Sequence, residues 1–309
     1  MAQVKVIVLR TAGTNCDEET CHAFQVAGAQ AERVHVNRLI EQPNLLADYQ
    51  ILSIPGGFSY GDDIAAGKIL ANQLVHHFRD TVQEFIDADK LVLGICNGFQ
   101  VLVKAGLLPA LPNGNNNGAL QHTTITINDS GKFEDRWVYL QPGTNKCVFI
   151  DPDQRIYLPI AHAEGKVCFA NDSVLQQVRD SGQVAFRYVD KDGQFGDFPV
   201  NPNGSTDHIA GLCDPTGRVL GLMPHPERHV HRTHHPHWTR PEAKDDRNGL
   251  AIYAKAMFGM ALHKQKQAEK LAMIVRNIDQ FLVEDDENQT AYLKLGNGGY
   301  WWYWYGSEC

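Results

Sequence analysis

The chain has 309 residues, of which 43% are hydrophobic and 21% are charged, and its formal net charge is −8. These proportions are those of an ordinary globular protein that can bury a sizeable core. The acidic balance argues against nucleic acid or an anionic membrane surface as a partner. No apolar run approaches the ~20 residues that cross a bilayer, so we expect no nucleic-acid partner and no membrane span.

Cysteine usage points to a reducing compartment. The chain has seven cysteines, an odd number, and no CxxC pair. In a chain of this length that pattern predicts reduced thiols and a cytoplasmic protein. The short apolar run at residues 6–9 lacks the long core and the small-residue cleavage site of a signal peptide, and we expect it to be the first strand.

The first hundred residues alternate between strand and helix patterns. The predicted order is strand 3–9, helix 17–27, strand 31–36, strand 49–57, helix 65–88, strand 90–96 and helix 98–106. Strands that alternate with helices at short spacing predict an α/β protein with an open, mostly parallel twisted sheet and flanking helices. Ligands of such sheets bind outside the carboxyl ends of the strands.

The remainder of the chain has a different pattern. Short strands with intervening turns are predicted at 122–128, 136–141, 147–150, 155–165 and 183–190, followed by strand–turn–strand over 207–227 and a closing helix over 247–262. We expect a smaller β-rich section here, antiparallel or mixed. Residues 263–309 differ in composition and end in an aromatic cluster, so we predict a domain over 1–262 and a C-terminal extension of unknown role over 263–309.

Cys96 stands between an apolar strand and the next helix, in the sequence GICNG. Gly94 and Gly98 remove side chains where backbones approach closely, as in the sharp turn that exposes a nucleophile. The start of the helix favours the thiolate. Most cysteines are simply small buried hydrophobes, but the flanking glycines and the position at a strand end favour a nucleophile here.

A nucleophilic thiol needs a base, and His225 is the best placed histidine. It follows an apolar strand in LGLMPHPE, between two prolines that keep the backbone extended. Positions two apart in an extended chain face the same side, so His225 and Glu227 should point together. The carboxylate would orient the imidazole, which predicts a triad of Cys96, His225 and Glu227.

Acyl transfer at a thiol also needs two backbone amides to hold an oxyanion. The residue after the nucleophile, Asn97, supplies one. The turn PGGFS at the neighbouring strand end would supply the other, from Gly57 or Phe58.

Four stretches together carry a resemblance to a known family: PGGFSYGDDIAAG, LGICNGFQVL, IAHAEG and GLMPHPER. They resemble the triad-type, class I glutamine amidotransferases and are most similar to the glutaminase subunits of phosphoribosylformylglycinamidine synthases. The resemblance covers residues 3–262 and implies the flavodoxin-like amidotransferase fold.

The resemblance implies a reaction and roles. Glutamine would be attacked at its side-chain amide by Cys96, and the amides of Gly57 and Asn97 would hold the oxyanion. His225 would protonate the leaving ammonia and activate water against the glutamyl thioester. Gln100 would help to hold glutamine.

The resemblance also implies a partner. Ammonia would pass to an ATP-dependent synthetase subunit that converts formylglycinamide ribonucleotide to the amidine in purine biosynthesis. This chain has no GxxxxGK[ST] motif, so we expect no cofactor on it. ATP and Mg²⁺ would bind to the synthetase subunit. The complex could also include a small third subunit.

Two features fall outside this interpretation. The loop 228–248 is rich in histidine, but no cysteine or acidic residue interleaves at ligand spacing, so we expect no metal site. The tail could serve as an interaction module. A Cys-dependent hydrolase or peptidase of the same fold with another substrate remains the alternative function.

Overall fold

The structure, a computed structural model, describes residues 3–111, 122–240 and 248–263 together with the short strands 282–285 and 290–293. The chain divides into two units, Met1–Met260 and Ala261–Cys309. Among the described residues, no helix combines the length and the apolar character that a bilayer crossing requires.

The strands up to residue 263 are β1 Lys5–Arg10, β2 Gln30–His35, β3 Ile51–Ile54, β4 Leu91–Ile95, β5 Thr123–Ile127, β6 Glu134–Pro142, β7 Ile156–His162, β8 Glu164–Phe169, β9 Val184–Val189, β10 Ile209–Cys213 and β11 Val219–Leu222. The α-helices are α1 Asp17–Val26, α2 Val36–Glu41, α3 Lys68–Gln73, α4 Arg79–Asp87, α5 Asn97–Lys104, α6 Asp172–Asp180 and α7 Asn248–His263.

Nine strands form one sheet in the order β2-β1-β3-β4-β11-β10-β9-β6-β7. The first five strands in this order are parallel to one another, and the last four extend the sheet in antiparallel fashion. Every residue of β3 and β4 is buried, as expected for parallel strands that helices cover on both faces. The predicted α/β class, with an open sheet and flanking helices, is confirmed.

The β-rich section mostly extends this same sheet. Only β5 and β8 pair apart from it, as a two-stranded antiparallel sheet. The prediction of a strand at 147–150 is wrong, because the segment forms a turn. The Val148 amide in this turn donates to the Gly217 carbonyl oxygen at 3.0 Å. Its apolar side chains are buried without being extended, because Phe149 and Ile150 fill the core from a loop.

Three helical features differ from the prediction, of which the first is α2, Val36–Glu41, a helix that was not predicted. The segment 65–88 is interrupted, since a π-helical stretch, Leu74–Phe78, separates α3 from α4. Such a stretch accommodates one extra residue within a helix. Helix α6 was not predicted, although the Asn171 side chain caps it by accepting from the Val174 amide at 3.1 Å.

In the second unit, Leu282–Asp285 and Thr290–Leu293 form β12 and β13, an antiparallel pair in which Leu282 opposes Leu293. The aromatic cluster at 300–305 lies outside the described residues. The division of the chain at residue 262 stays a prediction.

Candidate active site

The carboxyl ends of the parallel strands meet at one edge of the sheet, where they open onto a cavity of about 320 Å³. We call it the Cys96 cavity. Five of the seven predicted site residues line it: Cys96, His225, Gly57, Phe58 and Gln100. The other two, Asn97 and Glu227, lie directly behind this wall and are buried.

Cys96 occupies a sharp turn between β4 and α5. Its φ of 50° and ψ of −104° lie in a region that residues with a side chain rarely adopt. Its amide donates to the Leu222 carbonyl oxygen on β11 at 2.7 Å. A Cβ at Gly98 would lie 1.8 Å from the Ile54 carbonyl oxygen, so only glycine lets α5 approach β3 this closely.

His225 and Glu227 form a buried pair. The imidazole Nδ1 lies 2.6 Å from Glu227 Oε1, and the side chains are 2% and 0% exposed. Extended backbone alone does not produce this contact, because a 3₁₀ turn begins at Pro226 and carries Glu227 back toward the ring. The carboxylate accepts from Nδ1–H, which leaves Nε2 to act as the acid or base.

The electrostatics of His225 favour the imidazolium. Burial lowers the pKa of His225, but Glu227 and the thiols of Cys96 and Cys16 outweigh it, so the pKa lies well above its usual value. Nε2 is buried and has no hydrogen-bond partner among the described residues. The ring therefore has one nitrogen fixed by a carboxylate and the other available to a reacting group at the cavity.

The backbone geometry selects between the two predicted oxyanion donors at the β3 turn. The Phe58 amide donates to the Gly13 carbonyl oxygen at 2.9 Å, which favours Gly57. Gly57 has a φ of +134°, and a Cβ on it would lie 2.7 Å from the Asn15 amide nitrogen. Glycine is therefore required for this turn to sit against the loop after β1.

A chain of hydrogen bonds supports the cavity from behind. The Asn97 Nδ2 group donates to Asp62 Oδ1 at 3.1 Å and to Gln100 Oε1 at 3.0 Å. Gln100 Nε2 donates in turn to the Glu164 carbonyl oxygen at 2.6 Å. The polar stretches SYGDD and HAEG thus meet at this cavity, with the Gln100 amide held in a fixed orientation between them.

Cys16 is a site residue that sequence reasoning missed. Its Sγ lies 3.2 Å from the Asn15 Oδ1 acceptor and accepts from Arg228 Nη2 at 3.2 Å. Ligand atoms of Cys16, His225 and Glu227 all lie within 4.8 Å of one another. Burial raises the pKa of the Cys16 thiol. Its position at the start of α1, in the loop that follows β1 at the same sheet edge as Cys96, was the available signal.

His162 also lines the Cys96 cavity. Burial, and next the charge of His225, lower the pKa of His162 to about 4, so the ring is neutral. The Asn128 amide donates to two carbonyl oxygens through Nδ2, and its Oδ1 lies 3.1 Å from His162 Nδ1. Nδ1 therefore carries the proton, and the buried Nε2, which has no partner among the described residues, is an acceptor.

Comparison with known proteins agrees with this geometry. Residues 3–258 match the family model described as the CobB/CobQ-like glutamine amidotransferase domain. The chain is 44% identical over 260 residues to a Dehalococcoides mccartyi protein, covering 83% of this chain and 98% of that one. It is 41% identical over 252 residues to a Methanococcus maripaludis protein, covering 80% and 90%. Both relatives are named phosphoribosylformylglycinamidine synthase subunit PurQ.

A solved structure is similar as well. A chain in the structure of PurLQS from Thermotoga maritima superposes with a TM-score of 0.62 at 29% identity, covering 83% of this chain and 98% of that chain. The elbow at Cys96, the buried His225–Glu227 pair and these similarities agree. The chain belongs to the CobB/CobQ-like glutamine amidotransferase family and, within it, to the PurQ subunits of phosphoribosylformylglycinamidine synthase.

Proposed function

We propose that this chain hydrolyses glutamine to glutamate and ammonia and supplies the ammonia to a synthetase subunit. The observation that carries the proposal is the buried His225–Glu227 pair beside Cys96: Cys96 and His225 line the same cavity, and Glu227 lies behind its wall. A strained nucleophile elbow, a base with a fixed tautomer and a glycine-lined turn are the parts that acyl transfer needs.

The reaction follows from these positions. The Cys96 thiol gives its proton to His225 Nε2 as its sulfur attacks the glutamine side-chain amide carbon, and the oxyanion accepts from the amides of Gly57 and Asn97. The imidazolium of His225 gives its Nε2 proton to the leaving nitrogen, so ammonia departs and a glutamyl thioester remains. His225 then takes a proton from water, which attacks the thioester and releases glutamate and the thiol. Glu227 keeps the ring oriented and stabilises its positive charge.

The synthetase subunit would use ATP and Mg²⁺ to aminate formylglycinamide ribonucleotide in purine biosynthesis. The names of the relatives, each a subunit of that synthase, support this assignment. The similar chain from Thermotoga maritima was solved within PurLQS, which supports assembly with other subunits. We propose no cofactor on this chain and a cytoplasmic location, which the reduced cysteines favour.

The first test replaces the nucleophile. Cys96→Ala should reduce glutamine hydrolysis by about 10³-fold or more, since the thioester cannot form. Cys213→Ala is the matched control, because Cys213 is equally buried but lies on β10. Ammonia release is the measurement. Undiminished hydrolysis in Cys96→Ala with unchanged circular dichroism would refute the mechanism.

The second test concerns the acceptor and the substrate class. The protein is mixed with a PurQ-compatible synthetase, ATP, Mg²⁺, glutamine and formylglycinamide ribonucleotide, and ADP and amidine are measured together. We expect both products to need Cys96 when glutamine is the nitrogen source, but not when ammonium is supplied. A glutamine-derived affinity label should modify Cys96. Peptide cleavage without labelling would favour the alternative hydrolase.

A further inference from the structure

A second cavity, of about 570 Å³, lies between α1 and the loop that follows the triad. We call it the His22 cavity; its lining includes Glu18, Glu19, His22, His231 and His234. His22 lies on α1, whereas His231 and His234 belong to the histidine-rich loop. The triad glutamate, Glu227, also lines this cavity, but nothing in the proposed glutaminase reaction uses the other side chains named here.

Two imidazole nitrogens converge at this cavity. His22 Nε2 lies 3.0 Å from His231 Nε2, and the His234 ring lies edge-on to His231 with the centroids 5.1 Å apart. Two nitrogens this close cannot both carry a proton. Either one donates to the other, or both direct lone pairs at a shared cation.

The spacing suits a shared metal ion. Imidazole–zinc bonds of about 2.1 Å that meet at about 90–110° place two ligand nitrogens about 3.0–3.4 Å apart. Imidazole ligands suit zinc, copper and nickel.

Helix α1 supplies the carboxylate that the histidine-rich loop itself lacks. Glu19 and His22 are three residues apart, so they share a helix face, and both line the cavity. The other two glutamates on this wall are already paired, Glu18 with Arg33 and Glu227 with His225. His231 and His234 are far from Glu19 and His22 in the sequence, which is why ligand spacing within the loop predicted no metal.

We propose that His22 and His231 bind a divalent transition metal ion of the zinc class at the His22 cavity. Glu19 and His234 line the same cavity and would turn toward the ion as further donors, since among the described residues no third ligand atom lies close to both imidazole nitrogens. The site is separate from the Cys96 cavity, but Arg228 lines both. The metal would tie α1 to the loop that begins at the triad glutamate.

The test uses the full chain, treated with chelator and then titrated with Zn²⁺ by calorimetry. We expect saturable binding of one ion and a higher melting temperature in its presence. His22→Gln and His231→Gln should each weaken binding by at least about tenfold. Both side chains are exposed, so the metal-free variants should melt like the parent. His76→Gln, an exposed histidine on the π-helical stretch, should bind like the parent.

A Co²⁺ spectrum distinguishes this site from the thiols of the Cys96 cavity. Ligation by nitrogen and oxygen gives weak visible bands, whereas a thiolate ligand adds an intense near-ultraviolet charge-transfer band. Weak visible bands that disappear in His231→Gln support the proposal. A thiolate band, binding that does not saturate, or equal affinity in the parent and both variants would overturn it.

Discussion

Cys96 shows at the scale of one residue how the fold holds a strained conformation. A non-glycine residue in such a region costs about 1–3 kcal/mol and persists only where its surroundings fix it. Here the hydrogen bond to Leu222 and the packing of Gly98 against Ile54 fix it from two sides. The strain directs the thiol into the cavity instead of into the core.

The glycine and alanine variants of Cys96 should therefore differ in stability in the reverse of the usual order. We expect Cys96→Gly to be more stable than Cys96→Ala by about 1 kcal/mol, because glycine relieves the positive φ. Urea unfolding measures the difference. At Cys213, on a buried strand, we expect the alanine variant to be more stable than the glycine variant by about 0.5–1 kcal/mol. Equal stability of the two Cys96 variants would contradict the strain argument.

We expect the Cys16 thiol to affect the pKa of His225, the proposed base. Its thiol is one of the groups that raise the pKa of His225, so Cys16→Ala should lower that pKa. The alkaline limb of kcat/KM, which reports loss of the imidazolium proton, should then move to lower pH. Cys213→Ala should leave the limb in place. A pH profile that Cys16→Ala does not move would show that this thiol only fills space.

The sequence indicated the parts of the site that lie within short motifs. Cys96, its glycines and the His225–Glu227 pair could be proposed because strand ends and turn residues are visible locally. The contacts that give Cys16 and His162 their roles could not be predicted, since they involve partners distant in sequence, such as Arg228 and Asn128. The choice of Gly57 over Phe58 likewise needed the contact of Phe58 with Gly13.

At the scale of elements, Asp207 joins a helix to a strand. Its carboxylate accepts from Arg179 on α6 at 2.8 Å and from Arg187 on β9 at 2.6 Å. Burial raises the pKa of Asp207, but the two arginines outweigh it, and the pKa lies below its usual value. The carboxylate therefore stabilises the folded state when it is ionised.

Asp207→Asn should reduce stability in a manner that depends on pH. Because the folded-state pKa is depressed, the contribution is fully present above the unfolded pKa of about 3.9 and is lost as pH falls through the folded value. We expect a loss of about 1–2 kcal/mol at pH 7 and a smaller loss at pH 3, measured by urea unfolding. Asp192→Asn, an exposed pair with Lys191, should change little at either pH. An equal loss of unfolding free energy in Asp207→Asn at pH 3 and at pH 7 would exclude the ionic contribution.

Element prediction succeeded where burial and conformation agree. In the parallel half of the sheet, helices cover both faces, so each strand is buried on both sides and its sequence is a continuous apolar run. The run at 147–150 is equally apolar, yet it is a turn whose side chains are buried by tertiary packing. The π-helical stretch inside the segment 65–88 was not predicted either, because the apolar pattern there is that of a continuous helix.

At the scale of the whole chain, each of the described residues that line the Cys96 cavity belongs to the first unit. The family match also ends at residue 258. A chain that ends after α7, lacking residues 264–309, should therefore react with a glutamine-derived label at Cys96 as fast as the full chain. The rate of labelling is the measurement, and a loss of labelling without a loss of fold would give the extension a part in the site.

The close approach of α5 to β3 couples two segments that are remote in the sequence. Gly57 follows β3 and Asn97 opens α5, and the two elements touch where the Gly98 Cα meets the Ile54 carbonyl oxygen. A single methyl group at position 98 would have to push the two elements apart. The distance between the two proposed oxyanion donors thus depends on the missing side chain at Gly98, a residue that is not among those lining the Cys96 cavity.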